Sequence, residues 1–239
     1  MTPSASVSPS DQPSVSNQPS ASVSPSDQPS VSNQPSASLF WRAAKSEEYE
    51  VLSATDPDVQ ELTLGDNDTA LINLGFNYNW FGNMFTKVCL SSNGQINMGE
   101  DSCDNSFGLT EIGDYVGKRI AFVQEHIDPR EGGSVKYLIK SSPSSIKIAF
   151  EDVKFYYSPN PNLGGNGLIQ VQVELFENGN ILLCYGEGDN AENTFAAGVE
   201  DSTIGAAYPI PDSPFDGDGF TSDWPADKCW KFVMPVLEW

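Results

Sequence analysis

The stretch LIQVQVELFENGNILLCY, residues 168–185, decides the fold. Ile169, Val171, Val173 and Leu175 alternate with Gln170, Gln172 and Glu174, the two-residue period that turns one face of a strand inward and the other outward. Glu177-Asn178-Gly179-Asn180 then reverses the chain, because an Asn-Gly step readily supplies the positive φ of a tight hairpin. Ile181–Tyr185 carries it back as a second strand. The same pattern extends to both sides. Phe76, Tyr78 and Trp80 alternate with Asn77 and Asn79, Phe81-Gly82-Asn83 turns the chain into Phe85–Leu90, and Ser92-Asn93-Gly94-Gln95 is another Asn-Gly hairpin. Further strands are expected at Arg119–Val123, Ser134–Ile139, Ile146–Phe150, Phe195–Val199 and Trp230–Val233. Long helical periodicity is absent. About ten to twelve strands predict an all-β fold, an antiparallel β-sandwich of jelly-roll-like kind.

The chain ahead of Leu39-Phe40-Trp41 is of another kind. PSASVSPSDQPSVSNQ runs from Pro3 to Gln18, repeats unchanged from Pro19 to Gln34, and begins a third time at Pro35–Ser38. Its only apolar side chains besides Pro are Ala and Val, so it buries too little surface to offset the entropy of ordering. Residues 1–38 are expected to be a disordered, extended Ser/Pro-rich stalk, O-glycosylated or bare, and residues 39–239 a single β-sandwich domain. Met1-Thr2-Pro3-Ser4 shows neither the basic nor the apolar region of a signal peptide, and the chain is expected to be a piece of a longer secreted one.

Charge narrows the partners. The net charge is −21, and between Lys154 and Lys228 there is no Lys or Arg against twelve carboxylates. Phosphate contacts need a basic face, so nucleic acid is excluded as a partner, and anionic membrane surfaces are disfavoured. No apolar run approaches the roughly 20 residues that span a bilayer, so no membrane insertion is expected. The acidity itself serves solubility, or else a divalent cation or a basic partner.

Cys89, Cys103, Cys184 and Cys229 are even in number and lack the spacing of a zinc site, and His126 is the one histidine. Disulfides Cys89–Cys103 and Cys184–Cys229 are favoured among the three possible pairings, because each first member lies in a strand and each second in or beside a later turn. Four buried thiols in a cytosolic protein are the alternative.

Catalytic signatures are missing. No G-x-S-x-G elbow accompanies His126, and the neighbours Glu151/Asp152 and Glu200/Asp201 point to opposite faces of their strands, so neither pair forms a glycosidase acid/base couple. The protein is expected not to be an enzyme. The most suggestive loop is DSPFDGDGFTSD, where Asp212, Asp216, Asp218 and Asp223 supply hard oxygen ligands of the kind Ca²⁺ takes; an acidic solvated turn gives the same sequence. No other cofactor is implied. Asp66-Asn67-Asp68-Thr69 is a second acidic turn, and Asn67 heads an Asn-x-Thr sequon, a candidate N-glycan site. Trp224, between Asp223 and Pro225, is a candidate sugar-stacking residue if exposed, whereas Trp230 alternates with Phe232 as a core residue does.

Several of these segments, in order, resemble the nidogen-like domain and related extracellular β-sandwich modules of secreted and surface proteins. The blocks are Phe76–Asn83 with Val88–Gly94, then Ile120-Ala121-Phe122 leading to Asp128-Pro129, Gly132–Tyr137, Ile148–Val153, Gln170–Ile181 and Ala196–Asp201, together covering about residues 70–205. Where that family carries a Trp and paired acids before the Asp-Pro, this chain reads Gln124-Glu125-His126-Ile127. The stalk is similar in composition to Ser/Pro/Gln-rich repeats of algal cell-surface proteins. The resemblance implies a non-enzymatic, adhesion-type interaction or structural module of the cell surface, cell wall or extracellular matrix, with protein or glycan partners. A carbohydrate-binding module, Ca²⁺-assisted through the 212–223 loop, is the alternative, and an enzyme or enzyme-accessory domain comes third.

Overall fold

A computed structural model describes residues 41–44, 49–100, 103, 112–156, 167–189, 194–211, 214–216 and 218–234. The Ser/Pro stalk lies outside the described residues. The strands in chain order are β1 (Trp41–Ala44), β2 (Val59–Leu62), β3 (Thr69–Trp80), β4 (Asn83–Ser91), β5 (Gln95–Met98), β6 (Lys118–Gln124) and β7 (Ile127–Asp128). A 3-10 turn at Pro129–Glu131 follows, then β8 (Ser134–Ser141), β9 (Ser144–Phe155), β10 (Leu168–Phe176) and β11 (Ile181–Tyr185). The last are β12 (Phe195–Asp201), β13 (Ala206–Pro209), β14 (Phe220–Thr221) and β15 (Cys229–Phe232).

They form two antiparallel sheets packed as a sandwich. The first has the order β1-β15-β11-β10-β9-β8-β2 with β7 beside β9, and the second β13-β12-β6-β5-β4-β3 with β14 beside β12. The deciding stretch behaves as its alternation requires: β10 and β11 pair from Val171↔Tyr185 to Leu175↔Ile181. Between the sheets lie Tyr78, Trp80, Phe122, Phe150, Tyr185, Trp230 and Phe232, each at most 2% exposed. Phe122 of one sheet meets Phe150 of the other edge-to-face at 5.2 Å, and the Tyr185 hydroxyl donates to the Phe122 carbonyl, so the two layers are pinned by both packing and a hydrogen bond.

The fifteen strands among the described residues exceed the ten to twelve expected. The additions are short: β1, β2, β7, β13 and β14 have two to four residues each, too few to display a period. The two Asn-Gly turns also differ in detail from a two-residue hairpin. Only Gly94 (φ 73°) and Gly179 (φ 89°) take positive φ, not the Asn before them, and the loops are longer. At Gly94 glycine is obligatory twice over, because an added Cβ would lie 2.0 Å from the Val123 carbonyl oxygen.

The sheets are buried on their outer faces as well. β11 and β12 are covered along their whole length, and Gln172, Lys147, Gln95, Asn97 and Arg119 are buried although they face away from the core. On the second sheet the cover is the 112–117 loop: Ile112 packs on Ala121 and Ala196, and the Gly113 and Tyr115 amides donate to Glu200. On the first sheet it is the 49–52 segment, which passes from β1 at one edge toward β2 at the other.

Candidate functional site

The chain crosses from the second sheet to the first at Glu125-His126, between β6 and β7, and here the polar groups at one end of the sandwich converge. The His126 ring lies flat on Tyr156, with centroids 3.9 Å apart and 6° between planes, and its Nε2 is 2.9 Å from Asp66 Oδ1. Asp128 caps the 3-10 turn by accepting from the Arg130 amide at 3.0 Å. It also accepts from Arg130 Nε and Nη2 at 2.8 and 2.6 Å, a bidentate clasp. Arg130 reaches Asp66 as well, at 3.5 Å. Asn93, in the β4–β5 turn, ties in the third loop: its Oδ1 accepts from the Ile127 amide at 3.1 Å and its Nδ2 donates to Asn67 Oδ1 at 2.8 Å.

The electrostatics follow from this geometry. Hydrogen bonds from Arg130 hold the Asp128 carboxyl below the usual carboxylate range, while burial pushes Glu125 up. Tyr156 is 40% exposed beside the His126 ring. The corner therefore presents one exposed aromatic beside compensated charges. Its carboxylates are engaged by cationic side chains and backbone amides.

The other expected residues fall as follows. Cys89–Cys103 and Cys184–Cys229 are both disulfides, and no described cysteine is free. Cys184 and Cys229 are directly paired in the β11–β15 ladder, and Tyr49 packs over them. Asn67 sits half-buried in its turn at φ 51°, with its amide oxygen held by Asn93. Asp212 lies outside the described residues. Asp216 Oδ1 accepts from the amides of Asp218 and Phe220 at 3.0 and 2.8 Å, so it closes its own turn; Asp218 and Asp223 are exposed. Among the described residues no group of three or more His, Cys, Asp or Glu is placed to hold a metal ion. Trp224 is half-buried rather than projecting: its indole N–H donates to the Gly186 carbonyl at 2.9 Å, and its ring meets Tyr185 edge-on at 5.3 Å. It forms part of the core wall because the turn before β15 folds back onto β11.

Glu200 and Asp201 part to opposite faces, as strand neighbours must. Glu200 is ion-paired with Arg119 on the outer face, whereas Asp201 accepts from the Trp80 indole at 2.9 Å. The sequence reveals few of the partners at the corner: Asp66 reads only as part of an acidic turn, and Tyr156 carries no mark of the site. For Arg130 a signal exists, since Asp-Pro-x is the sequence of a capped turn. Asp66, in the turn before β3, and Tyr156, just after β9, come to the corner from distant parts of the chain and leave no local signal of their meeting with His126.

A family model described as NIDO related matches residues 40–216. The chain belongs to the NIDO-related family. The match takes in the motif blocks at about 70–205 and extends beyond them on both sides, so β1, β2 and the 49–52 segment also fall within the matched residues. No curated protein and no solved structure gives a significant match. A NIDO-related domain with two disulfides is consistent with an extracellular module. No helix among the described residues is long and apolar enough to cross a membrane.

Proposed function

We propose that this chain is a non-enzymatic, adhesion-type interaction module of a cell-surface, cell-wall or matrix protein, joined to a Ser/Pro stalk and meeting protein or glycan partners. The observation that carries the reading is the closure of all four cysteines as disulfides within a NIDO-related domain. Disulfides persist in oxidising compartments and are rare in the cytosol. The loop corner around His126, Asp128 and Arg130 supports it further, because loops fixed by a rigid sandwich are where such domains place their contacts. The repeat stalk, with its dense serines, suits a glycan-coated spacer.

The test uses natural material. Mass spectrometry with and without reduction, combined with labelling of intact cells by a membrane-impermeant reagent, is expected to find both disulfides and surface labelling. Free thiols on all four cysteines, or a mature protein protected from the label, would defeat the reading. A glycan array run with and without chelator then sorts the partner class. Chelator-sensitive sugar binding would move the assignment to a calcium-assisted lectin-like module.

A further inference from the structure

The first sheet holds a segment of its own chain much as a receptor holds a peptide. β1 adds to the edge of β15 from Trp41↔Phe232 to Ala44↔Cys229. Trp41 is 5% exposed, packs on Phe232 at 5.3 Å, and donates its indole N–H to the Tyr208 carbonyl of the opposite sheet. It is the kind of buried aromatic anchor that dominates an interface. Further on, Tyr49 covers the Cys184–Cys229 bond, and the Glu50 amide and carbonyl are both bonded to the Gln172 side chain. The Leu52 amide donates to Glu151 Oε1 at 2.6 Å, and its carbonyl accepts from Lys136 at 3.1 Å. The backbone of 50–52 is thus recognised by side chains of three different strands, not by a ladder.

Two more observations bear on how firmly this arm stays. After Leu52, residues 53–58 are all exposed, and their hydrogen bonds are local ones such as the Asp56 amide to the Ser53 carbonyl. That is a hinge, with Pro57 in it. Within β1, Arg42 stands directly opposite Lys231, both exposed, and like charges in register weaken a strand pair.

We infer that the segment bearing residues 41–44 and 49–52 is an exchangeable arm, and that the groove it fills on the first sheet joins two copies of this chain by receiving the arm of the other. The partner is a second copy because the groove's anchor site for Trp41, its β15 edge and its Gln172, Glu151 and Lys136 clasps already fit this sequence. Exchange conserves every one of these contacts, so the dimer costs little beyond association, and an exposed hinge whose hydrogen bonds are local suits such a swap. The inference stands apart from the extracellular reading, since a chain in any compartment would exchange its arm equally well.

Arg42→Cys and Lys231→Cys, made in separate full-length chains, place one thiol on the arm and one on the edge it pairs with. The two proteins are mixed at high concentration, incubated, then oxidised mildly. A disulfide joining the two introduced cysteines across chains, found by peptide mapping of a covalent dimer, is expected. The double variant R42C/K231C, oxidised as a monomer, closes the link within one chain and is expected to lack the dimer expected of the unmodified chain in light scattering. No cross-chain link in the mixture would overturn the inference, and so would a locked double variant that dimerises as readily as the unmodified protein.

Discussion

Arg119 and Glu200 face each other across β6 and β12 with no solvent access, and each is satisfied by more than the other: Gln95 accepts from Arg119, and the Gly113 and Tyr115 amides donate to Glu200. Removing one partner leaves a buried charge, so Arg119→Met is expected to cost about 3–5 kcal/mol in urea unfolding, and the double variant Arg119→Met/Glu200→Leu far less. Arg42 is the opposite case, an exposed charge set against a like one. Arg42→Glu should raise stability by about 0.5 kcal/mol. At the corner, Asp128 titrates lower in the folded chain than in the unfolded one, because Arg130 stabilises its charged form. Its contribution is complete above the ordinary Asp value of about 3.9 and is lost as pH falls through the lowered folded value. The destabilisation caused by Asp128→Asn, measured by thermal melts, should accordingly shrink as pH drops below about 4. Glu125, raised by burial, has the reverse sign: its protonated form is favoured in the folded state, so Glu125→Gln should raise the melting temperature at neutral pH.

At the scale of elements, the two disulfides do different work. Cys184–Cys229 joins strands that are already neighbours, across a separation of 45 residues, whereas Cys89–Cys103 ties the connection after β5 back to β4 across 14. By the entropy of the loops they close, they contribute roughly 4 and 3 kcal/mol, and Cys184→Ala/Cys229→Ala should lower the denaturation midpoint more than Cys89→Ala/Cys103→Ala. The elements divide sharply in how much of them the sequence announced. β10 and β11 emerge with the boundaries their alternation implied, and Tyr78 and Trp80 point inward as expected, because a strand with one wet face writes its period into its residue types. β1 and β2 left no such trace. They are four-residue edges whose partners lie at opposite sides of the first sheet, and their pairing is decided by where the rest of the chain has already gone. The site was less legible than the fold for the same reason. Asp66, His126, Asp128, Arg130 and Tyr156 meet across three connections, and only the Asp128-Pro129-Arg130 turn is local. Trp224 shows the converse: its place between Asp223 and Pro225 leaves its exposure open, and it is the return of that loop onto β11 that half-buries it.

For the whole molecule the net charge is −21, and within the sheets Glu151, Glu174 and Asp201 are met by Lys136, Lys147 and Trp80. Self-repulsion of that size opposes compaction and is screened by salt over a Debye length of about 10 Å at 0.1 M. The melting temperature should therefore climb as sodium chloride rises from about 10 to 300 mM, the reverse of what a protein held together by surface ion pairs would show. The pairing of Trp41 with Phe232 has a mechanical meaning as well. It brings the entry and exit of the domain side by side on one edge, so a pull on both ends loads the β1–β15 ladder as a zipper and not in shear. Hydrogen bonds then yield one pair after another, at low force, from Trp41↔Phe232 toward Ala44↔Cys229. On the β15 side the peeling halts at Cys229, whose covalent bond to β11 hydrogen-bond rupture does not break. The domain can in this way let out a short length of chain under tension while the sandwich behind it stays closed.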